Sequence, residues 1–286
     1  MFGWLKYPIN AKKSEDGGHT PSPLTLLLGT SKKTDYKPQK YEEKYTGNKP
    51  ILVICTDESL MEMENKKKFS TGNHPVETFV PMLHFRDAGF AFDIATTSGN
   101  AVKLEMWAFP TKDKNVQNLH EQVKSSFDKP KKISDISSME DYSALFIPGG
   151  HGSMINLPYN PALGKLLRMA HEKGLPTVTL CHGPSALLST SVEGSENDFL
   201  YKDYKIMCFT DKTDAMTPSI GYLPGNMPWK VQETLEKKGM TILNKSETGA
   251  VHQDRELITG DSPTAANNLG TVAAPILVKY ANENKL

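Results

Sequence analysis

One cysteine of this chain stands where a reactive side chain would be useful. The apolar run Thr177–Leu180 has the length of a buried strand, and Cys181 and His182 follow it directly, with a glycine and a proline next. Such a turn from a strand into a helix lifts a side chain above the sheet, and a helix N-terminus favours a thiolate. The pattern predicts a nucleophilic Cys181 at a projecting elbow, with a thiol pKa below the usual value of about 8.5. The alternative is a small buried residue, which is our interpretation of Cys55 and Cys208.

A second strand end is rich in glycine. The run Ala144–Ile147 is followed by Pro148, Gly149, Gly150, His151 and Gly152. Glycines allow a backbone to approach a ligand closely, so the N–H groups of Gly149 and Gly150, with that of His182, are candidates for an oxyanion hole. An ordinary glycine-rich turn with no ligand explains the same residues.

Three further side chains are candidates for moving protons. His182 and Asp214 suit a base and the carboxylate that orients it, although consecutive side chains diverge at a sharp turn, so whether His182 faces the thiol stays open. Glu77 opens a helix soon after the first strand, where a carboxylate favours the helix dipole. If Glu77 instead points at the thiol, it is a proton shuttle, and burial would raise its pKa towards neutrality.

The elements that position these residues alternate between strand and helix patterns. Continuous apolar runs predict strands at 51–55, 92–95, 144–147, 177–180, 206–209, 241–243 and 256–259. Helical periodicity with terminal glycines or prolines predicts helices near 76–84, 161–173, 229–238 and 265–282. This alternation predicts an α/β fold with a mostly parallel sheet covered by helices on both faces.

The chain divides into an N-terminal extension, 1–48, and one α/β domain, 49–286. The extension is rich in Pro, Lys, Ser and Gly, which predicts an arm that lies over the core or is partly disordered. The segments at about 100–140 and 211–228 exceed simple connections, so we expect inserted cap segments there.

Composition excludes several classes of protein. The 33 basic and 33 acidic side chains balance, whereas a general nucleic-acid binder needs a basic surplus. No apolar run is long enough for a membrane helix, and three cysteines are an odd count. We therefore expect a reduced, cytoplasmic protein without membrane or specific nucleic-acid binding. No nucleotide-binding loop and no H-E-x-x-H metal motif occurs, and no cofactor is expected.

Four motifs together resemble the ThiJ/PfpI superfamily, and more narrowly its heat-shock protein 31 branch of glyoxalase III enzymes, protein or nucleotide deglycases and holding chaperones. The motifs lie at 70–75, 148–152, 180–184 and 259–263, and the segments 103–108 and 220–225 strengthen the narrower match. The resemblance implies a flavodoxin-like sandwich, a cap and a homodimer.

The resemblance also implies roles for single residues. Cys181 matches the nucleophile, His182 and Asp214 its triad partners, and Glu77 the carboxylate beside the thiol. Gly150 and His182 match the backbone donors of the oxyanion site.

One departure from the family concerns metal. Bacterial relatives carry a His, Glu, His metal site, and the matching positions here are Arg86, Ala91 and Val123. These side chains cannot reproduce a site of two histidines and a carboxylate, so the sequence predicts no metal there.

The expected function is a glutathione-independent conversion of methylglyoxal, or a related 2-oxoaldehyde, to a 2-hydroxy acid through a hemithioacetal on Cys181. Deglycase activity on glycated protein or nucleotide adducts would use the same thiol, and unfolded proteins are expected as clients of a holding chaperone. Two alternatives remain: a cysteine amidase or peptidase, and a non-catalytic stress chaperone that protects clients without Cys181.

Overall fold

The protein is a sandwich of helices around one central sheet. The computed structural model describes residues 10–192 and 198–286. Within them a seven-stranded sheet has the strand order β12-β13-β9-β8-β3-β6-β7. Its strands are β3 (Ile51–Ile54), β6 (Phe92–Thr96), β7 (Lys131–Lys132), β8 (Ala144–Ile147), β9 (Thr177–Leu180), β12 (Val251–Asp254) and β13 (Leu257–Gly260). Only the edge strand β12 pairs antiparallel with its neighbour, while the other pairings are parallel.

The central strands are buried throughout because helices cover both faces of the sheet. All residues of β3, β8 and β9 are buried, as expected for parallel strands between two helical layers. One layer contains α2 (Pro75–Asp87), α3 (Lys114–Asp128) and α8 (Ala266–Glu283). The other contains α5 (Pro161–Glu172) and a 3-10 helix at Gly183–Ser191. This architecture confirms the predicted α/β fold.

The remaining elements are short. They are β1 (Lys12–Lys13), β2 (His19–Thr20), β4 (Leu60–Glu62), β5 (Lys68–Ser70), β10 (Lys205–Ile206), β11 (Thr241–Ile242), α1 (Pro23–Gly29), α4 (Ser153–Asn156), α6 (Asp211–Met216) and α7 (Val231–Lys237).

Two predicted strands do not join the central sheet. The runs 206–209 and 241–243 contribute only β10 and β11, a separate two-stranded parallel pair. Beyond Ile206 the chain turns away: Cys208 N–H donates to the Asn244 side chain at 3.1 Å, and Phe209 N–H donates to the Cys181 carbonyl at 3.0 Å. Assigning 206–209 and 241–243 to the central parallel sheet was therefore wrong.

The described part of the N-terminal extension, residues 10–48, lies against the core. Ser22 N–H donates to the Gly221 carbonyl at 2.8 Å, and Tyr45 N–H donates to the Ala88 carbonyl at 2.9 Å. The Tyr45 ring stacks on Phe90 with 4.6 Å between centroids. Through these contacts the arm extends from the 211–228 segment to the end of α2. Residues 1–9 lie outside the described part.

The two segments expected to form a cap have different places. Within 100–140, α3 connects β6 to β7 and packs on α2 in the helical layer. The 211–228 segment carries α6 and contacts the arm. The division into an extension and one domain with cap insertions stays a prediction. Among the described residues, no helix is both long and apolar enough to cross a bilayer.

Candidate active site

Cys181 lies at the carboxyl end of β9, on a strained turn. Its φ is +58°, in the left-handed region that residues with a side chain rarely adopt. Its N–H donates to the Gly260 carbonyl at 3.0 Å, which extends the pairing of β9 with β13. Its carbonyl accepts from Phe209 N–H at 3.0 Å. Strand β13 thus holds one side of the turn, and Phe209, just before the 211–228 segment, holds the other.

The thiol is not exposed as the sequence suggested. Only 3% of Cys181 is accessible to solvent. Burial and the neighbouring Glu77 carboxylate raise the pKa of the thiol, so the predicted lowering was wrong. The physical reason is that desolvation and a nearby anion outweigh the weak field of a short 3-10 helix start. Cys55 and Cys208 are fully buried, as predicted.

Glu77 lies in the first turn of α2 with no exposed surface. A β-carbon added to Gly149 would overlap Glu77 Oε2 and lie 2.9 Å from Cys181 Cβ, so the carboxyl, the glycine and the cysteine are packed together. Apart from the Cys181 thiol, the carboxyl has no hydrogen-bond partner among the described residues. Burial raises the pKa of Glu77 well above its ordinary value. Since two adjacent buried anions are strongly disfavoured, thiol and carboxyl together retain at least one proton at neutral pH.

His182 does face the thiol. Its Nδ1 lies 3.3 Å from Cys181 Sγ, and its Nε2 lies 2.9 Å from Asp214 Oδ2. Asp214 is on α6, where Thr210 caps the helix by accepting from Thr213 N–H at 3.2 Å. Although burial opposes ionisation, the two histidines beside Asp214 hold the pKa of its carboxyl well below the ordinary range. The structure thus brings together the four side chains that the sequence singled out.

Two residues of the cluster were missed by sequence reasoning. His151 Nε2 lies 3.2 Å from Asp214 Oδ1, and its Nδ1 lies 3.9 Å from Glu105 Oε1. Glu105 also accepts a hydrogen bond of 2.7 Å from Thr71 Oγ1. The available signal was positional: His151 is part of the glycine-rich strand end, and Glu105 lies in the 103–108 motif.

The glycine-rich loop is fixed against the start of α2. Gly150 has φ +104°, and a β-carbon there would collide with the Gly72 carbonyl and with His74 N. The Gly149 carbonyl accepts from His74 N–H at 3.0 Å. In the described part of the chain, the Gly150 N–H meets no acceptor, and the His182 N–H is hydrogen-bonded to the Cys181 sulfur. The oxyanion role of these N–H groups stays a prediction.

A cavity of about 790 Å³ lies beside this cluster. It reaches His151 and Phe209. The ring centroids of these two residues lie 4.1 and 4.8 Å from the centroid of the His182 ring. The arm supplies part of the wall, including Thr25 and Lys33. Pockets of this size hold drug-sized molecules, so the cavity has room for a substrate larger than a three-carbon aldehyde.

The three positions matched to the family's metal ligands carry no histidine or carboxylate in this chain. Arg86 pairs with Asp87 at 2.9 Å, and neither Ala91 nor Val123 has a ligand atom. In the described ranges, His151, His182 and Asp214 form the one group with donor atoms close enough for an ion. Both Asp214 oxygens already accept from the two imidazoles, which accounts for the geometry of this group without an ion.

Comparison with known proteins places the chain in a family. The model of the DJ-1/PfpI family matches residues 69–198. The chain is 45% identical over 272 residues to the protein/nucleic acid deglycase HchA of Pseudomonas aeruginosa, covering 93% of this chain and 94% of that protein. It is 43% identical over 274 residues to HchA of Escherichia coli O7:K1, covering 94% and 95%.

Two solved structures share the fold. One is the Rapid Encystment Protein of 24 kDa from Francisella tularensis, with a TM-score of 0.69, 19% identity, and 80% of this chain and 99% of that chain covered. The other is glyoxalase III from Candida albicans, with a TM-score of 0.63, 24% identity, and 79% and 96% covered. With its sheet, its cysteine elbow and relatives at this level of identity, the chain belongs to the DJ-1/PfpI family and is a homologue of the HchA deglycases.

Proposed function

We propose that this protein is an enzyme that converts methylglyoxal and related 2-oxoaldehydes to 2-hydroxy acids without glutathione, using Cys181 as its nucleophile. The observation that carries the proposal is the contact of one thiol with two proton-handling groups. His182 Nδ1 lies 3.3 Å from the sulfur, and the buried Glu77 carboxyl packs beside Cys181 with no other partner among the described residues. A reaction that moves a proton between adjacent carbons needs such groups around a covalent anchor.

The steps balance without a cofactor. The thiol proton passes to His182 and the sulfur bonds to the aldehyde carbon, which gives a hemithioacetal whose oxygen the N–H groups of Gly149, Gly150 and His182 stabilise. Ionised Glu77 removes the proton from that carbon while His182 gives its proton to the neighbouring carbonyl oxygen, which leaves an enediolate. Glu77 then returns its proton to the second carbon, and the oxygen on the first carbon becomes the thioester carbonyl. The first carbon is thereby oxidised and the second reduced. Water then cleaves the thioester, releasing the 2-hydroxy acid and the Cys181 thiol.

Adducts on glycated proteins and nucleotides are proposed as a second substrate type for the same thiol. The HchA relatives are named protein/nucleic acid deglycases, and the cavity of about 790 Å³ exceeds what a three-carbon aldehyde fills. Cleavage of such an adduct would use the same attack by Cys181. The distinguishing assay adds a small-molecule aldehyde scavenger in excess: repair that persists at the same rate supports direct action on the adduct.

The first test mixes the purified protein with methylglyoxal in the absence of glutathione and measures lactate. We expect lactate in proportion to the methylglyoxal consumed. Consumption without lactate, or lactate formation that requires added glutathione, would contradict the proposal.

A holding-chaperone activity is supported by one surface feature. Leu27 and Leu28 on α1 are 76% and 79% exposed. Ile220, whose carbonyl accepts a hydrogen bond of 2.5 Å from the Thr25 hydroxyl, is 54% exposed. Exposed apolar side chains that lie together favour binding of unfolded chains. A Leu27→Ser, Leu28→Ser variant should lose protection of an aggregating client while lactate formation persists, and Cys181→Ala should show the reverse.

A homodimer is proposed from the family resemblance alone, and sedimentation of the purified chain tests it.

A further inference from the structure

Asp214 orients two histidines at once, whereas a single base needs only one. We propose that His151 is a permanently protonated imidazolium, held between Asp214 and Glu105, whose charge keeps His182 neutral with its Nδ1 lone pair directed at the Cys181 sulfur. His151 is then a positioning residue that acts through His182. The inference rests on the proposed function insofar as His182 receives the thiol proton there.

The hydrogen-bond partners assign the protons on each ring. A carboxylate only accepts, so the imidazole Nε2 atoms at 3.2 and 2.9 Å from Asp214 both donate. In a neutral His182 the remaining nitrogen, Nδ1, carries a lone pair, and it lies 3.3 Å from Cys181 Sγ. The second nitrogen of His151 instead faces a carboxylate, Glu105, at 3.9 Å.

One of the two rings takes the charge, because their centroids are only 4.1 Å apart and two adjacent cations would repel. His151 has a carboxylate at each nitrogen. His182 has one carboxylate and one thiol. The imidazolium therefore belongs on His151.

The electrostatics of the surrounding groups agree with this assignment. Although burial opposes its charge, the hydrogen bond to Asp214 and the nearby Glu105 carboxylate raise the pKa of His151 to about 10. Burial and the charge on His151 lower the pKa of His182. Other groups that influence the two rings are His74, whose pKa burial lowers, Glu77, Cys181 and Tyr222, and the apolar rings of Phe69 and Phe209 pack on them.

The consequence is a base that works at low pH. A doubly protonated His182 could not accept the thiol proton, so activity is lost as pH falls through the pKa of His182. Glu77 must likewise be ionised to act, and although burial raises its pKa, the charge on His151 acts to lower that pKa too. With His151 charged, this acid limb lies below the ordinary imidazole value of about 6.5. Without the charge on His151, Asp214 is hydrogen-bonded only to His182, and the pKa of His182 rises. The acid limb of the activity profile then moves to higher pH.

The test measures kcat/KM for lactate formation between pH 5 and 9 in the parent, His151→Gln and His151→Lys. We expect the glutamine variant to shift the acid limb upward by about one unit, which is roughly a tenfold loss near pH 6, with a much smaller loss near pH 8.5. The lysine variant keeps a cation and should keep the limb near the parent's. A uniform loss at every pH, with an unmoved limb, would overturn the inference.

A second measurement does not depend on turnover. Nitrogen-15 NMR of histidine-labelled protein distinguishes a ring with two protonated nitrogens from each neutral form. The chain has eight histidines, and the His151→Gln spectrum identifies the missing signals. At pH 7.5 we expect both nitrogens of His151, and only Nε2 of His182, to carry protons.

The two readouts separate the outcomes. This NMR pattern in a protein that forms no lactate would reject the proposed function and retain the inference, and a neutral His151 in an active enzyme would do the opposite. If His151→Gln does not fold, Glu105→Gln replaces it: with only Asp214 left, the His151 signals should titrate at lower pH than in the parent. Unchanged titration would overturn the inference.

Discussion

Two clusters of histidine and carboxylate lie at opposite ends of the same strands. At the carboxyl end of β9, His182 and His151 share Asp214 beside a thiol. Near its amino end, His171 lies 2.7 Å from Glu256, the residue before β13. The two clusters use the same kinds of side chain but differ in what surrounds them.

The polar groups of the Glu256 cluster are hydrogen-bonded to one another. Both Glu256 oxygens accept from Tyr204, at 2.9 and 3.0 Å, and the Arg255 guanidinium lies over the Tyr204 ring. The His171 side chain is one third exposed, and none of the chain's three cysteines is adjacent to it in sequence. Such an arrangement stabilises the joint between α5 and the sheet.

The surroundings of Asp214 contain polar atoms that are not hydrogen-bonded within the protein. Two buried polar atoms near it have no partner among the described residues, His74 Nδ1 and Glu105 Oε2, and the Glu77 carboxyl has none except the Cys181 thiol. Unpaired buried polar atoms cost folding free energy, so their concentration beside a nucleophile and a cavity indicates groups kept for a substrate. Beside the Glu256 cluster, a neutral hydroxyl, Tyr201 Oη, also has no partner. The two clusters therefore differ in whether their carboxyl and imidazole atoms are paired rather than in residue type.

The largest expected effect of a conservative change is at Glu77. Glu77→Gln cannot accept the proton of the reacting carbon, so lactate formation should fall by about 10²–10⁴-fold. The raised pKa of Glu77 means that its ionisation opposes folding above the unfolded-state value of about 4.3. Removing that group should not lower the unfolding midpoint at pH 7. Near-normal turnover with a lower midpoint would demote Glu77 to a structural carboxylate.

Asp214→Asn should have a smaller effect. An amide oriented to donate to His182 Nε2 would favour the tautomer with a proton on Nδ1, which cannot accept from the thiol. The loss of a charge-assisted hydrogen bond, about 1.5–3 kcal/mol, corresponds to roughly 10- to 100-fold in kcat/KM. Steady-state kinetics at pH 7.5 measure this. A variant within twofold of the parent would remove Asp214 from the account.

His171→Gln should leave turnover unchanged, because the Glu256 cluster lies at the other end of the sheet. Its loss of one polar contact should reduce the free energy of unfolding by about 0.5–1.5 kcal/mol, as measured by urea denaturation. A tenfold loss of lactate formation with an intact fold would erase the distinction between the two clusters.

Much of the sheet was predictable because its central strands are buried on both faces. The runs at 51–54, 144–147 and 177–180, which lack alternation of buried and exposed types, are typical of strands in a covered parallel sheet. The run 206–209 looks the same in sequence, but hydrogen bonds to residues far along the chain turn it away. The edge strand Val251–Asp254 was missed because it is short, partly exposed and polar.

The candidate site was predictable where position alone reveals chemistry. Cys181 follows a strand, and Glu77 begins a helix. The direction of the thiol pKa shift and the parts of His151 and Glu105 were not predictable, because they depend on burial and on ring orientations that only tertiary packing sets. The missed pair and the wrong pKa direction therefore have the same physical origin.

Lactate formation from methylglyoxal by the parent, by Cys181→Ala and by the matched control Cys208→Ala tests directly whether Cys181 is the nucleophile. Cys208 is also fully buried, but it lies in a core cluster of apolar side chains. The account predicts lactate from the parent and from Cys208→Ala at similar rates, and none from Cys181→Ala with its fold intact. Undiminished lactate from Cys181→Ala would contradict it.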